Sequence, residues 1–213
     1  MYNLKKGLDI PISGSPDGSI SDSTKISHVG VLGPDYVGMK PTMMVEAGDK
    51  VNIGSKLFED KKNPGIFYTS PATGTIKSIN RGDKRRFISI EIEVSDEESQ
   101  VEIYNDSNEA IIDNISKFGV INNFRTRPFN KTPKPNDIPE DIFINLCDTN
   151  PLSVDPYIYL HHEIDLFNKS LLKLKEIYKC NIHVCYQNNN FDNFIDGINY
   201  HIFNGPHPAG LSG

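Results

Sequence analysis

VEAGDKVNIGSKLFEDKKNPGIFYTSPATGTIKSI, residues 45–79, sets glycines and small polar residues at turn spacing between short apolar pairs. Gly48-Asp49 and Gly54-Ser55 mark tight turns, because glycine enters the positive-φ region without penalty. Val51, Ile53, Leu57 and Phe58 supply the apolar side chains of a pleated face, and Pro71 with Gly74 closes a third turn. The spacing predicts a small, curved β unit.

The same stretch resembles the barrel-sandwich hybrid of biotinyl and lipoyl carrier domains, in which G-D-x-V-x-x-G-x-x-L leads through a hairpin to a P-A-x-G-x-I return. A swinging-arm carrier needs one modifiable lysine alone at the hairpin tip. The elbow here reads Glu59-Asp60-Lys61-Lys62-Asn63-Pro64-Gly65, with two adjacent lysines and no flanking methionine. The expectation is structural reuse of the fold without attachment chemistry on Lys61 or Lys62.

Working outward, Leu4 to Gly14 alternates weakly around Gly7 and Pro11 and predicts an edge strand. His28 to Leu32 reads as a short strand. Gly33-Pro34-Asp35-Tyr36-Val37-Gly38-Met39-Lys40-Pro41 follows, whose glycines and prolines stop a strand and predict an ordered loop presenting Tyr36 and Met39. Beyond the central stretch, residues 80–86 form a basic turn, and Phe87 to Val94 alternates as a half-exposed strand. Residues 91–109 carry eight acidic residues and no basic one, the composition of a solvated connector. Asp106 followed by Glu109 predicts a capping box for a helix through Phe118, with Ile111, Ile115 and Phe118 on one face and Gly119 as its stop.

Phe124 to Pro135 combines three prolines, two arginines and two phenylalanines, which neither helix nor strand accommodates. It reads either as a linker or as a ligand segment, since guanidiniums beside aromatic rings suit a carbonyl-bearing or anionic ring. From Asp141 the pattern becomes α/β. Ile142 to Cys147, Asn181 to Tyr186 and Asn199 to Phe203 predict strands. Asp155-Pro156 opens one helix whose Leu160, Ile164, Phe167, Leu171, Leu174 and Tyr178 share a face as far as Lys179. Strand, helix and strand in that order imply a parallel, Rossmann-like layer. The fold class expected is thus mixed α+β and α/β. A barrel-sandwich hybrid β domain spans residues 1–105, a helix and Pro/Arg-rich linker 106–140, and a partial, truncated Rossmann-like α/β layer 141–213. The Gly-Pro-rich end after a strand predicts an N-terminal piece of a longer polypeptide.

Composition narrows the function classes. A net charge of −6 argues against nucleic acid as a partner. Cys147, Cys180 and Cys185 form no C-x-x-C pair and read as buried free thiols. The adjacent His161 and His162 point in different directions on a helix and make a poor metal pair. No apolar run long enough for a membrane span and no apolar signal core are present. No Ser/His/Asp set or carboxylate pair stands out, so neither a catalytic residue nor a metal ligand is assigned.

Several strings together resemble one family: K-K-G-L-D-I-P-I at 5–12, L-G-P-D-Y-V-G-M-K-P-T-M at 32–43, L-F-E-D-K-K-N-P-G at 57–65, N-R-G-D-K-R at 80–85, R-T-R-P-F-N-K at 125–131, D-T-N-P-L at 148–152 and G-P-H-P-A-G-L at 205–211. Their order and extent are similar to those of the A-type subunits of the sodium-translocating NADH:quinone oxidoreductases. The related Rnf electron-transport family shares the hybrid and Rossmann-like parts. The resemblance implies a peripheral subunit on the cytoplasmic face of a membrane-bound pump. Electrons there pass from NADH through flavins and an iron–sulfur centre in other subunits to ubiquinone. It implies no redox cofactor in this chain. The residues agree, since Asp148-Thr149-Asn150-Pro151 follows Cys147 where a dinucleotide site would need G-x-G-x-x-G.

A quinone ring needs a donor near each carbonyl oxygen and apolar walls. Tyr36 and Met39 supply walls and a hydroxyl, Arg125 or Arg127 a cation to polarise a carbonyl, Phe129 a stacking ring, and His207 a further donor. Each has a plainer role in anchoring its own loop or pairing with a nearby carboxylate. Two functions follow from this reading, a non-catalytic subunit shaping a quinone site or a structural adaptor docking the NADH-oxidising subunit.

Overall fold

A computed structural model describes residues 1–21, 24–102, 107–187 and 191–210. In chain order the strands are β1 (Tyr2–Asn3), β2 (His28–Leu32), β3 (Pro41–Met43), β4 (Lys50–Val51), β5 (Lys56–Asp60), β6 (Phe67–Thr69), β7 (Gly74–Arg81), β8 (Phe87–Val94), β9 (Asp141–Leu146), β10 (Asn181–Tyr186) and β11 (Asn199–Asn204). The helices are α1 (Asn108–Lys117), α2 (Pro156–Leu160) and α3 (Ile164–Tyr178). Contacts divide the chain into a unit of Thr24–Asp137 and a unit of Met1–Ser23 with Ile138–Gly213.

The Thr24–Asp137 unit is the barrel-sandwich hybrid. One antiparallel sheet runs β2-β8-β7-β4 and the other β3-β5-β6. The turns fall where the glycines predicted them, with Gly48 at φ 96° and Gly54 at φ 87°. Val51, Leu57, Phe58, Ile66, Tyr68, Ile76, Phe87, Ile90 and Ile92 form the core. Burying side chains of this size stabilises by about 1.5–3 kcal/mol each before conformational entropy is set against it. Strict alternation fails where the register shifts. A shift between Lys56 and Phe58 lets the consecutive Leu57 and Phe58 both face inward, and another between Asn80 and Arg81 accompanies the odd spacing of the buried Phe87 and Ile90.

Helix α1 starts at Ser107, whose side chain accepts from the Ala110 N–H. Asp106, the expected cap, lies outside the described residues. The helix stops at Gly119 with φ 75°, as its sequence predicts. Phe124 to Pro135 is neither helix nor strand, apart from a bridge between Thr126 and Lys131 that closes a short turn.

In the second unit the strands are all parallel, in the order β1-β11-β10-β9. Two expectations are corrected here. Leu4 to Gly14 forms no strand; pairing is confined to Tyr2–Asn3 on β11, after which Leu4 and Leu8 donate N–H bonds to Asn204 and His207 carbonyls. The helix predicted from Pro156 to Tyr178 is interrupted by a 3-10 turn at His161–Glu163, where Glu163 leaves helical geometry at φ −122° and ψ 26°. Its capping holds, with Asp155 accepting from the Tyr157 N–H at 2.9 Å. Leu171 and Ile177 are the buried positions of α3. Cys147, Cys180 and Cys185 are free and buried, and burial, then Cys185, pushes the Cys147 thiol up to about 12.

Candidate functional site

The loop between β2 and β3 is held at both ends. At its start Gly33 lies against β8 so closely that an added Cβ would fall 2.6 Å from the Phe87 carbonyl oxygen. At its end the buried Asp60 carboxylate accepts the N–H groups of Lys40 and Lys62, each at 3.0 Å, and the Asn63 side-chain amide at 2.8 Å. The Lys62 ammonium donates to the Gly38 carbonyl at 2.7 Å. The elbow that replaces a carrier's lysine tip therefore fastens the Tyr36–Met39 loop.

This loop forms one wall of an open groove of about 660 Å³. Gly33, Tyr36, Val37 and Met39 line that wall, and Arg81, Lys84, Arg85, Arg86 and Phe87 line the opposite side. Tyr36 meets Tyr68 edge-on at 4.4 Å between ring centroids, and Tyr68 stacks on Phe58 at 4.6 Å. The aromatic file thus runs from the core to the groove.

Arg125 approaches the same file from the segment after α1. Its guanidinium donates to the carbonyls of Asn122 and Phe124 and to Thr132 Oγ1 at 3.4 Å, which fixes its position. Burial holds the Tyr36 hydroxyl above its ordinary pKa, Asp35 adds to the rise, and Arg125 opposes it. Burial, then the Asp60 carboxylate, pushes Tyr68 up to about 12 against a hydrogen bond with Thr132 and the Arg125 charge. Both phenols therefore remain protonated at neutral pH, so the Tyr36 hydroxyl keeps a proton to donate.

The expected site residues separate into three places. Tyr36 and Met39 share the groove wall, and Arg125 lies within electrostatic reach of Tyr36 without lining the groove. Arg127 and Phe129 sit on the exposed turn closed by Thr126 and Lys131, with Phe129 75 % exposed, and neither lines the groove. His207 belongs to the α/β unit, where its Nδ1 pairs with Thr149 Oγ1 at 3.0 Å and its N–H donates to Asp9 at 2.8 Å. Sequence reasoning missed Tyr68, Asp60 and the basic wall. Arg81 to Arg86 had a visible signal, a dense run of cations in an acidic chain, whereas nothing local marks Asp60 as buried.

In the α/β unit, Asp148 Oδ1 after β9 accepts both the N–H and the side-chain amide of Asn150, and the Asp148 carbonyl accepts from Ser153. A carboxylate thus occupies the turn where a dinucleotide fold presents free N–H groups to a pyrophosphate. Across the sheet, Phe143 stacks on His183 at 4.6 Å and His183 on His201 at 5.1 Å, and Phe143 is 64 % exposed.

Comparison with known proteins matches the two parts separately. Residues 2–95 match the NqrA N-terminal barrel-sandwich hybrid domain, and residues 106–213 match the NqrA second alpha/beta domain. The A-type subunit of Na(+)-translocating NADH-quinone reductase from Yersinia pseudotuberculosis is 42% identical across the whole of this chain, and the proteins of the same name from Histophilus somni and Serratia proteamaculans are each 41% identical. In each case the match spans 100% of this chain and 50% of the relative, so the chain spans about half the length of the curated relatives it matches. With both consecutive domain types matched in order and the same architecture in the structure, the chain belongs to the NqrA family, the A-type subunits of Na(+)-translocating NADH-quinone reductase.

Proposed function

We propose that this chain serves as a peripheral subunit of a sodium-pumping NADH:ubiquinone reductase, on the cytoplasmic face of the membrane, and lends the Tyr36 groove to quinone binding. Among the described residues no helix is long and apolar enough to cross a membrane. The observation carrying the quinone reading is the placing of Tyr36 on the apolar groove wall, with Arg125, which does not itself line the groove, near enough for its charge to oppose the burial that raises the Tyr36 pKa. As a quinone is reduced, negative charge develops on its carbonyl oxygens. A neutral phenol donates a hydrogen bond to one such oxygen, and a fixed guanidinium stabilises the charge without reorganising. The chain contributes binding and polarisation, while flavins and the iron–sulfur centre reside in the partner subunits. The Asp148 turn supports the absence of a flavin or NADH site here.

Titration with a short-chain ubiquinone, followed by NMR shifts, tests the reading. Saturable binding should weaken by about tenfold or more in Arg125→Ala, since bonds to charged groups are worth ~1.5–3 kcal/mol. It should weaken severalfold in Tyr36→Phe, both variants staying folded. A folded chain that shows no saturable binding refutes it. That result leaves the adaptor reading, which the exposed aromatic row of Phe143 and Tyr2 on the α/β sheet favours.

A further inference from the structure

Arg81, Lys84, Arg85 and Arg86 make one side of the Tyr36 groove a wall of positive charge, in a chain whose net charge is −6. Some lysines elsewhere are neutralised locally, as Lys25 is by Asp96, Lys77 by Glu91 and Lys117 by Asp113. Among the described residues no carboxylate forms an ion pair with any of the four wall cations, although Asp35 and Asp83 are near in sequence. All four side chains are exposed.

The backbone keeps them so. Lys84 at φ 54° and Arg85 at φ 60° are consecutive non-glycine residues in the left-handed region, which L side chains enter at a cost. The turn around them is closed by a Gly82 N–H to Arg86 carbonyl bond at 2.8 Å and an Arg86 N–H to Asp83 carbonyl bond at 3.1 Å. Asp83 to Arg86 are all exposed, so three consecutive cations stand at the surface together.

Apolar side chains stand exposed beside them. Val37, on the same groove, is 73 % exposed. Ile88, 37 % exposed, lies against the turn, its Cδ1 being 3.0 Å from the position a Gly82 Cβ would take. Unpaired cations alone would suit any anion. Cations bordered by protruding aliphatic side chains suit an interface whose phosphates lie directly above hydrocarbon, with the charges in the headgroup layer and the aliphatic groups just below it. A uniformly acidic peptide offers charge without that adjoining apolar layer.

We propose that the 81–86 turn, with Val37 and Ile88, is a docking surface for anionic phospholipid, bringing the groove mouth to the membrane. The inference goes beyond the quinone reading and does not depend on it. It gives the chain a lipid contact of its own in addition to any through partner subunits. Screening confines the relevant charge to the patch, because the Debye length is ~10 Å at 0.1 M salt, so the acidic remainder of the chain does not cancel it.

Sedimentation of the whole 213-residue chain with quinone-free vesicles tests this. Vesicles of about one-third phosphatidylglycerol in phosphatidylcholine should bind the chain, and pure phosphatidylcholine should not. Each basic residue near an anionic surface is worth about fivefold in partitioning, so Arg85→Gln with Arg86→Gln should weaken binding by about 25-fold. Val37→Ser should weaken it severalfold. A double variant removing the same charge elsewhere, Lys25→Gln with Lys117→Gln, should bind as the unaltered chain does. Equal binding to neutral vesicles, or no effect of the arginine pair in a chain of unchanged circular dichroism, overturns the proposal. So does full displacement by millimolar glycerol phosphate, which marks a small-anion site, or capture of a poly-glutamate peptide without vesicle binding. Because no quinone is present, failure here leaves the quinone titration standing, and the reverse also holds.

Discussion

Asp60 ties the elbow of the hybrid to the groove loop, and removing its carboxylate is the most discriminating test of that arrangement. Its oxygens accept from the Lys40 and Lys62 N–H groups at 3.0 Å and from Asn63 at 2.8 Å, with the side chain 4 % exposed. Bonds to a charged acceptor contribute ~1.5–3 kcal/mol each, but three that share one carboxylate do not add, and deletion also relieves the cost of burying the charge. We therefore expect Asp60→Ala to cost about 3–5 kcal/mol, mostly from leaving buried donors unpaired. Asp60→Asn keeps one acceptor oxygen and should cost about half as much, ~2 kcal/mol. The loss should be local. Hydrogen exchange resolved by NMR should show the Lys40 and Lys62 amides, which both donate to Oδ1, exchanging about 100-fold faster or more in Asp60→Ala, as ~3 kcal/mol of lost opening energy requires. The β7–β8 amides should change by only a few fold. Quinone titration of the same variant should weaken, because the loop carrying Tyr36 and Met39 loses its downstream anchor. Unchanged exchange at Lys40 and Lys62, or acceleration spread evenly over the unit, would refute the assignment of Asp60 as the fastener.

Two further outcomes follow from packing and from titration. Gly33→Ala places a Cβ 2.6 Å from the Phe87 carbonyl and 2.7 Å from its ring, so the loop must lift from β8. Urea unfolding should register about 1–3 kcal/mol of destabilisation, and an unaltered midpoint would show that the contact is not tight. Tyr68 should ionise near 12 in a spectrophotometric titration, a step that Tyr68→Phe removes. Since folding raises this pKa, the native state holds the proton more tightly, and the associated stability is full below pH ~10 and lost as pH rises through 12. Wild type should therefore lose on the order of 2 kcal/mol between those limits, and an identical loss in Tyr68→Phe would sink the claim.

Much of the hybrid was legible from residues 45–79 because its determinants are local. Gly48 and Gly54 occupy positive-φ turns, Gly119 stops α1, and alternation marks β8, each a property of a few consecutive residues; the Ser107 cap of α1 went unread, Asp106 having been expected in that role. The α/β strands were equally readable, since β9, β10 and β11 are apolar runs flanked by breakers. The candidate site was only partly legible. Tyr36 and Met39 were placed on a loop correctly, but no local pattern gave a reason for Arg127 and Phe129 to stand apart from it.

What the chain's order of residues determined alone was therefore the kind of each element, where it turns, and the family its motifs belong to. Tertiary structure decided which elements meet. It set Tyr36 on Tyr68, turned Asp60 inward at a strand end, aligned the 81–86 turn opposite the Met39 loop, and assigned Tyr2–Asn3 to the edge of the parallel sheet. The physical reason is that turns and caps are fixed by backbone sterics and hydrogen bonds within a few residues. Burial of a carboxylate or assembly of a groove depends instead on sheet register between segments far apart in the chain, where register shifts change which side chain faces which.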